Sequence, residues 1–257
     1  MSRDSARPLK EFVHDAQEFY LLMRNSFLGT PWAIKYHRET LRLIFVLGVS
    51  ALPLIFLSSL FIGLVLALEW GTKLEPFGAK ILMGRIMAVG TIREIGPVIT
   101  GLMLAGRSGA MIAAELGSMK VTEQVSALTS LGTDPTRRLV VPRQVAAIFT
   151  VLPLTMFADV IAVTAGYIVA ITWLNTPGSL YWSSALNSLV MKDLAIGLIK
   201  PFFFGYLIAT IACFFGMNTE GGADRVGDAA TKAVVYASLG VLISDFMLSK
   251  LIISFFR

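Results

Sequence analysis

The chain has 257 residues, of which 55% are hydrophobic and 15% are charged, and its formal net charge is +5. Soluble domains contain about 25% charged residues. Residues 43–68 run without a charge, over a length greater than the roughly 20 residues that cross a bilayer as a helix. The composition therefore excludes a soluble globular protein and predicts an integral membrane protein.

Cysteine and histidine usage argues against redox and metal chemistry. The single cysteine, Cys213, excludes an internal disulfide and is interpreted as a small packing residue. His14 and His37 lie in the polar N-terminal region and are interpreted as lacking cysteine or carboxylate companions at metal-ligand spacing, so no metal site is expected. The basic residues are spread over membrane-flanking loops, a pattern that does not predict a nucleic-acid partner.

Residues 1–42 are predicted to form an N-terminal interfacial region ahead of a transmembrane domain over residues 43–257. Within it, apolar residues recur at the helical period of 3.6: Leu9, Phe12, Val13, Ala16, Phe19, Tyr20, Met23 and Phe27. Charged residues occupy the other face, which favours a helix lying in the membrane interface. A helix packed on a soluble partner is the alternative.

Five transmembrane spans are predicted, at residues 43–68, 81–114, 144–174, 194–216 and 233–256. Span two is 34 residues long, or about 50 Å at 1.5 Å per residue, so it must tilt, bend at Pro97 or project beyond the bilayer. The connection over 175–192 carries Tyr181 and Trp182, which suit an interfacial aromatic belt. A polar, glycine-rich loop is predicted over 218–232.

Two spans carry small residues at every fourth position, which lets another helix approach closely. The first ladder is in span two, at Gly101, Ala105, Gly109, Ala113 and Gly117. The second is in span three, at Ala158, Ala162, Gly166 and Ala170.

Span two continues into a polar segment with an apolar stripe at Val121, Val125, Leu128 and Leu131, ended by Gly132. This pattern predicts a short amphipathic helix held between two long spans. Such a helix has the shape of a lever through which a separate ATPase could move the membrane part. A helix that merely floats on the inner leaflet is the alternative.

The distribution of basic residues predicts the orientation. Five spans put the termini on opposite sides, and fourteen Lys and Arg residues then lie on the side of the N-terminus against five on the other. The positive-inside rule therefore predicts a cytoplasmic N-terminus and a periplasmic C-terminus.

Four charged residues lie inside apolar spans: Arg93, Glu94, Lys200 and Asp245. Each costs about 2.5–3.5 kcal/mol at the centre of an inserted helix. Arg93 and Glu94 point about 100° apart on one helix, so partners on other helices are expected. Two interpretations remain open: a polar cavity near the outer leaflet that meets a charged part of a substrate, or structural ion pairs such as Lys200 with Asp245.

The sequence contains no G-x-x-x-x-G-K-[ST] motif, catalytic triad or metal cluster, so energy must come from a partner or an ion gradient. An ion-gradient-driven secondary transporter of a small or amphipathic solute would use Asp159, Lys200 and Asp245 as an ion relay. A structural membrane scaffold would tolerate neutral residues at all four buried charges.

Two long motifs resemble the MlaE/YrbE family of ABC-transporter permeases, the membrane subunits of lipid transporters that work with MCE proteins. They are REIGPVITGLMLAGRSGAMIAAELGSMKVTEQVSAL and LGTDPTRRLVVPR. GGADRVGDAATKAVV and ISDFML are similar more weakly. The resemblance implies an all-α integral membrane protein with an N-terminal interfacial amphipathic helix, five transmembrane helices and a cytoplasmic coupling helix between spans two and three.

The resemblance also implies roles for individual residues. The coupling motif falls on Glu115, Met119, Lys120, Thr122 and Glu123. The charged positions of the family's spans, expected at the substrate, match Arg93, Glu94, Lys200 and Asp245. The lipid-facing wall falls on Leu66, Leu74 and Phe77, although the neighbouring connection with Glu69, Trp70 and Lys73 departs from the family pattern.

The resemblance further implies the permease subunit of an ATP-driven phospholipid transporter in the bacterial inner membrane, contributing to outer-membrane lipid asymmetry. The expected partners are a second copy, an ABC ATPase (MlaF-like) that binds ATP and Mg, and a periplasmic MCE-domain protein (MlaD-like). A small STAS-type cytoplasmic subunit (MlaB-like) is an accessory that the family allows. No cofactor and no catalytic residue are expected in this chain.

Overall fold

The computed structural model describes the backbone of residues 7–255 and the side chains of residues 13–252 and 254. Within these residues the fold is all helical. Its α-helices are α1 (Arg7–Leu28), α2 (His37–Leu74), α3 (Met83–Gly90), α4 (Gly96–Leu104), α5 (Ala110–Val121), α6 (Gln124–Ser130), α7 (Val141–Thr172), α8 (Gly178–Ser188), α9 (Met191–Met217) and α10 (Asp224–Phe255).

Five helical segments of the described chain are long and apolar enough to cross a membrane. They are His37–Phe77, Lys80–Val121, Thr136–Thr172, Met191–Met217 and Asp224–Ile252. This confirms the predicted number of spans. The last helix begins nine residues before the predicted span, because hydropathy marks only its apolar part and misses the polar turns from Asp224 to Lys232.

Span two is one continuous helical path interrupted by two π-helical turns, Thr91–Ile95 and Ala105–Gly109, which separate α3, α4 and α5. The first turn ends just before Pro97, the second residue of α4. Proline has no N–H to donate to the carbonyl four residues earlier, and a π turn accommodates the missing bond. The predicted disturbance at Pro97 therefore takes the form of a widened turn that contains Arg93 and Glu94.

Close helix packing is concentrated at the small-residue ladders. The members of both predicted ladders are buried. An additional ladder lies in α2, where every fourth residue from Leu43 to Gly71 is buried. A Cβ added at Gly63 would overlap the backbone carbonyl oxygen of Ala162 on α7. These contacts hold α2 and α7 together with little side chain between their backbones.

The connection between spans three and four contains α8, which the sequence did not indicate. Tyr181 of α8 is buried, and its hydroxyl donates a 2.8 Å hydrogen bond to the Val163 carbonyl. Burial raises the pKa of Tyr181, so this hydroxyl keeps its proton. The expected interfacial position of Tyr181 is therefore wrong, because α8 packs so closely on α3 that Gly84 lies against the Tyr181 backbone. Trp182 remains partly exposed.

The interfacial helix α1 is bonded to the bundle by a buried amide. Gln144 Nε2 of α7 donates to Ser26 Oγ at 2.9 Å and to Thr210 Oγ1 of α9 at 2.7 Å. Val13, Tyr20 and Phe27 of α1 are exposed, although the Phe27 ring also lies 6.3 Å from the ring of Tyr206 on α9. The arrangement agrees with an amphipathic helix whose exposed apolar residues face a membrane interface.

The predicted amphipathic helix after span two is α6. Val125 is buried and Leu128 is partly buried, as the apolar stripe indicated. Leu131 follows the last residue of α6 and is 79% exposed, and it lines the same cavity as Leu128. The helix ends one residue earlier, at Ser130, and Gly132 adopts the left-handed conformation that terminates it.

Candidate functional site

A buried lysine joins three helical segments of the membrane domain. Lys200 of α9 is fully buried, and its Nζ lies 2.5 Å from Glu94 Oε2 and 3.0 Å from Asp245 Oδ1 of α10. Ser249, one turn beyond Asp245, donates to Glu94 at 3.2 Å. Two carboxylates therefore compensate the ammonium, as removal of a lysine from water requires. The pairing of Lys200 with Asp245, suggested as one alternative, is confirmed.

A second ion pair lies beside the first. Arg93 Nε donates to Asp193 Oδ1 at 2.6 Å, and Arg93 Nη2 lies 2.5 Å from the same oxygen. Asp193 is buried at the start of α9 and also accepts a 3.2 Å hydrogen bond from the Val190 N–H. Arg93 and Glu94 thus have partners on other helices, as their divergent directions predicted. The sequence had given no indication of Asp193 or Ser249.

The π turn explains why these charges meet α9 and α10. It adds a residue to one turn of span two and changes the register of the side chains that follow. Arg93 and Glu94 lie in this turn, and both bond residues of the first three turns of α9. The side chains of Arg93 and Glu94 remain 39% and 47% exposed, so both ion pairs are partly open to a ligand.

Asp159 does not join this cluster. Its carboxylate lies against the backbone of Gly96, where a glycine is needed because an added Cβ would overlap it. Among the described residues its Oδ1 has no hydrogen-bond partner, and no described ion pair connects it with Lys200 or Asp245. The ion relay suggested for Asp159, Lys200 and Asp245 is therefore not assembled in this structure.

The residues expected to form the lipid-facing wall lie near the C-terminal end of span one. Leu66 and Leu74 pack on a hydrophobic cluster that contains Met83 and Met87. Phe77 lies in the connection after α2 and is 83% exposed. Leu66 and Leu74 therefore share a surface, while Phe77 projects from the end of the same span.

The expected coupling residues surround the junction of α5 and α6. Glu115 Oε2 forms an ion pair with Arg143 Nη2 at 2.9 Å. Arg143 belongs to α7, and its side chain is 4% exposed. Thr122 donates to the Ser118 carbonyl at 2.8 Å. Glu123 takes a left-handed conformation with φ of 60° and turns the chain from α5 into α6. Met119 packs on the core, and Lys120 is partly exposed.

A cavity of about 520 Å³ lies beneath α6. Glu115, Met119 and Leu128 line it from the α5 and α6 side, and Glu39 and Arg143 line it from α2 and α7. The Arg143–Glu115 pair connects this cavity with the start of span three. The pair thus links α5, the helix that precedes α6, to α7.

The N-terminal helix also contains a group that the sequence analysis missed. The ligand atoms of His14, Asp15 and Glu18 lie within 4.8 Å of one another, because residues four apart share a face of α1. The expectation that His14 lacks carboxylate companions is therefore wrong. All three residues are exposed, and the 3.7 Å contact of His14 with Glu18 is an ordinary i, i+4 pair.

Comparison with known proteins identifies the family. A family model described as Permease MlaE matches residues 40–251. The chain belongs to the MlaE permease family. Similar relatives include a probable ABC transporter permease protein of Rickettsia typhi, 39% identical, with 95% of each chain covered. The intermembrane phospholipid transport system permease protein MlaE of Haemophilus influenzae is 36% identical, over 89% of this chain and 88% of the relative.

A more distant relative is the chloroplast protein TRIGALACTOSYLDIACYLGLYCEROL 1 of Arabidopsis thaliana, 33% identical over 82% of this chain and 61% of its own length. As an MlaE permease, the chain is a multi-pass membrane subunit of an ABC transporter and is not itself the catalyst. Family membership thus favours the ATP-driven class over the gradient-driven transporter and the scaffold.

Proposed function

We propose that this MlaE permease moves phospholipids between the bacterial inner membrane and a periplasmic MCE-domain protein, and so contributes to outer-membrane lipid asymmetry. The observation that carries the proposal is the relation to the Haemophilus permease, whose name states intermembrane phospholipid transport. ATP and Mg would be bound by a separate ATPase subunit. The chain itself would need no cofactor.

The charged cluster suits the polar end of a phospholipid. Arg93 is partly exposed and can offer N–H donors to a phosphate, while Asp193 holds its side chain in place. Lys200 is fully buried, so its proposed role is to position Glu94 and Asp245. The acyl chains would lie on apolar surface that includes Leu66, Leu74 and Phe77.

A homodimer is part of the proposal. Large apolar side chains are exposed along α10, where they would face either lipid or a second copy: Val235, Tyr236, Leu239, Leu242, Ile243, Phe246, Met247 and Leu251. A substrate cavity between two copies would place these residues and Asp245 near the dimer axis. ATP binding would then shift the dimer between open and collapsed cavities.

Native mass spectrometry of the tagged chain, purified gently from its host's membranes, tests the assembly. We expect two copies with two ATPase subunits, an MCE-type protein and bound phospholipid; a small STAS-type subunit is compatible with this result. The chain found alone under mild detergents would contradict the proposal and favour the gradient-driven transporter.

Transfer of a fluorescent phospholipid between proteoliposomes and the MCE protein tests the role of Arg93. We expect Arg93→Gln to reduce ATP-dependent transfer at least about tenfold, the effect of losing about 1.4 kcal/mol at a charge-assisted phosphate contact. Arg85→Gln is the matched control, since it removes an exposed arginine of the same span. Equal transfer by the two variants would contradict a substrate role for Arg93.

The coupling role of α6 is tested by Glu123→Lys. Reversing this exposed charge at the α5–α6 junction should prevent correct docking on the ATPase and uncouple hydrolysis from lipid transfer. Glu220→Lys makes the same charge change in the exposed loop before α10 and should retain coupling. Unchanged lipid transfer per ATP hydrolysed in Glu123→Lys would count against the coupling role of α6.

A further inference from the structure

Cations stack on aromatic rings where spans one and three begin. Lys35 Nζ lies 5.2 Å from the ring centroid of Trp32, and Arg137 Cζ lies 4.9 Å from the same ring. Arg138 Cζ lies 5.9 Å from the ring centroid of Tyr36. These five residues form what we call the basic–aromatic cluster. The 3₁₀ turn Thr30–Ile34 and the residues after it supply three of them, and the π turn Thr136–Val140 supplies the two arginines.

Exposed apolar side chains adjoin this cluster. Ile34 is 79% exposed, and Phe27 and Leu28 at the end of α1 are 68% and 70% exposed. Trp32 is 38% exposed, so the cations leave part of its ring uncovered. Large apolar side chains beside an exposed indole are typical of a surface that lies at the boundary of a bilayer.

The charge of this surface is positive. Residues 30–42 and 134–138 contain five Lys and Arg residues against Glu39 and Asp134. Asp134 Oδ2 lies 3.1 Å from Arg137 Nε, and this ion pair positions the arginine over Trp32. A guanidinium stacked on a ring keeps its N–H donors in its own plane, where they can meet phosphate oxygens.

Space for a headgroup lies next to Arg137. A cavity of about 330 Å³ is lined by Asn25, Gly29, Asp134, Thr136 and Arg137, with Leu28 at its apolar side. The cavity, the cations and the exposed apolar residues thus adjoin one another at the same end of the bundle. The Lys200 cluster lies near the other end of span four, in the first three turns of α9.

We propose that the basic–aromatic cluster binds the phosphate of an anionic phospholipid in the leaflet at this end of the bundle. The lipid is a resident ligand that anchors the junction of α1, α2 and α7, and it is separate from the transported lipid. Assigning it to the cytoplasmic leaflet rests on the proposed orientation. The phosphate would contact Lys35 and Arg137, and the acyl chains would lie beside Phe27, Leu28 and Ile34.

Fluorescence quenching of Trp32 by brominated lipids tests this site. The purified full chain would carry Trp70→Phe, Trp173→Phe and Trp182→Phe, which leaves Trp32 as the single tryptophan of the four. It would be placed in phosphatidylcholine nanodiscs containing 10 mol% of brominated phosphatidylglycerol or, in parallel, of brominated phosphatidylcholine. Because both leaflets have the same composition, the result does not depend on orientation.

We expect brominated phosphatidylglycerol to occupy the site about threefold more than brominated phosphatidylcholine, and high salt to remove the difference. Lys35→Gln with Arg137→Gln should bring the ratio of quenching to one. Arg225→Gln with Lys232→Gln makes the same charge change at exposed residues of α10 and should keep the ratio. Arg137→Lys should retain much of it.

Equal quenching by the two lipids in the parent protein would overturn the proposal, even if the glutamine variant failed to fold. A ratio unchanged in a folded glutamine variant would overturn it as well. Competition of the quenching by free glycerol phosphate at low millimolar concentration would show a soluble-phosphate site and contradict the lipid. If the two lipids quench equally but the protein still transfers phospholipid, the resident lipid alone is refuted. If the quenching ratio is as expected but the protein transfers no phospholipid, the transport function alone is refuted.

Discussion

Lys200 shows how a membrane protein places a full charge in its interior. The side chain is fully buried, and Glu94 and Asp245 share its ammonium. Their side chains are 47% and 18% exposed, so the cation is enclosed and its counterions reach toward the surface. Because Lys200 is enclosed, the loss of its carboxylate partners would leave its charge uncompensated. The stability of the cluster therefore depends most on this residue.

Lys200→Met should reduce the free energy of unfolding by about 3 kcal/mol, because it leaves two carboxylates near each other without their cation. Titration of the detergent-solubilised protein with sodium dodecyl sulfate measures the change. Adding Glu94→Gln and Asp245→Asn to Lys200→Met removes the uncompensated charges and should recover most of the loss. A triple variant as unstable as the single one would contradict this account.

At the scale of the elements, the bundle depends on backbone contacts between helices. Gly63 of α2 lies directly against the backbone of Ala162 on α7. Gly205 of α9 lies against the backbone of Ala147, which is also on α7. The buried ladder of α2 leaves its other faces to the lipid, where many of its large residues are exposed. The absence of a side chain is thus required at those glycines of α2 that touch the backbone of α7, and not at the others.

Gly63→Ala should destabilise the protein by about 1–3 kcal/mol, because its methyl group would force α2 away from α7. Gly48→Ala is the matched control in the same helix, since its Cβ would lie 3.6 Å from Thr150 Cγ2 in ordinary contact. That change should be neutral or slightly stabilising. Detergent unfolding curves of the two variants measure the difference, and similar stabilities would refute the close backbone contact.

The whole molecule has two distinct ends. The end that contains α6, the basic–aromatic cluster and the start of α10 is rich in arginine and lysine, and the end with α8 carries the start of α9. The ion pairs and the Arg143–Glu115 contact lie at different levels of span two, which connects them through its two π turns. Span two therefore joins the α5–α6 junction to the charged cluster.

Labelling with a membrane-impermeant maleimide in intact spheroplasts tests the proposed orientation. Ser179→Cys, exposed at the start of α8, should react in intact spheroplasts, and Ser130→Cys, exposed at the end of α6, should react only after permeabilisation. The native Cys213 is fully buried and needs no replacement. The reverse pattern would place the N-terminus in the periplasm.

The sequence by itself determined the features that depend on composition and period: the number of spans, the amphipathic α1 and α6, and the small-residue ladders. Hydropathy and the 3.6-residue repeat act within one helix, so they can be read locally. They also identified Arg93, Glu94, Lys200 and Asp245 as charges that need partners, because any charge in an apolar span carries a cost.

Only the tertiary structure decided which partners these charges have. Asp193 lies at the edge of a span, where a carboxylate is unremarkable in sequence, and its pairing with Arg93 depends on the π turn and on the packing of α9. The same applies to Arg143. In the sequence it is one more basic residue beside a span, but in the structure it lies in α7 and is buried against Glu115. Contacts between distant segments depend on how helices pack, and no local repeat encodes that packing.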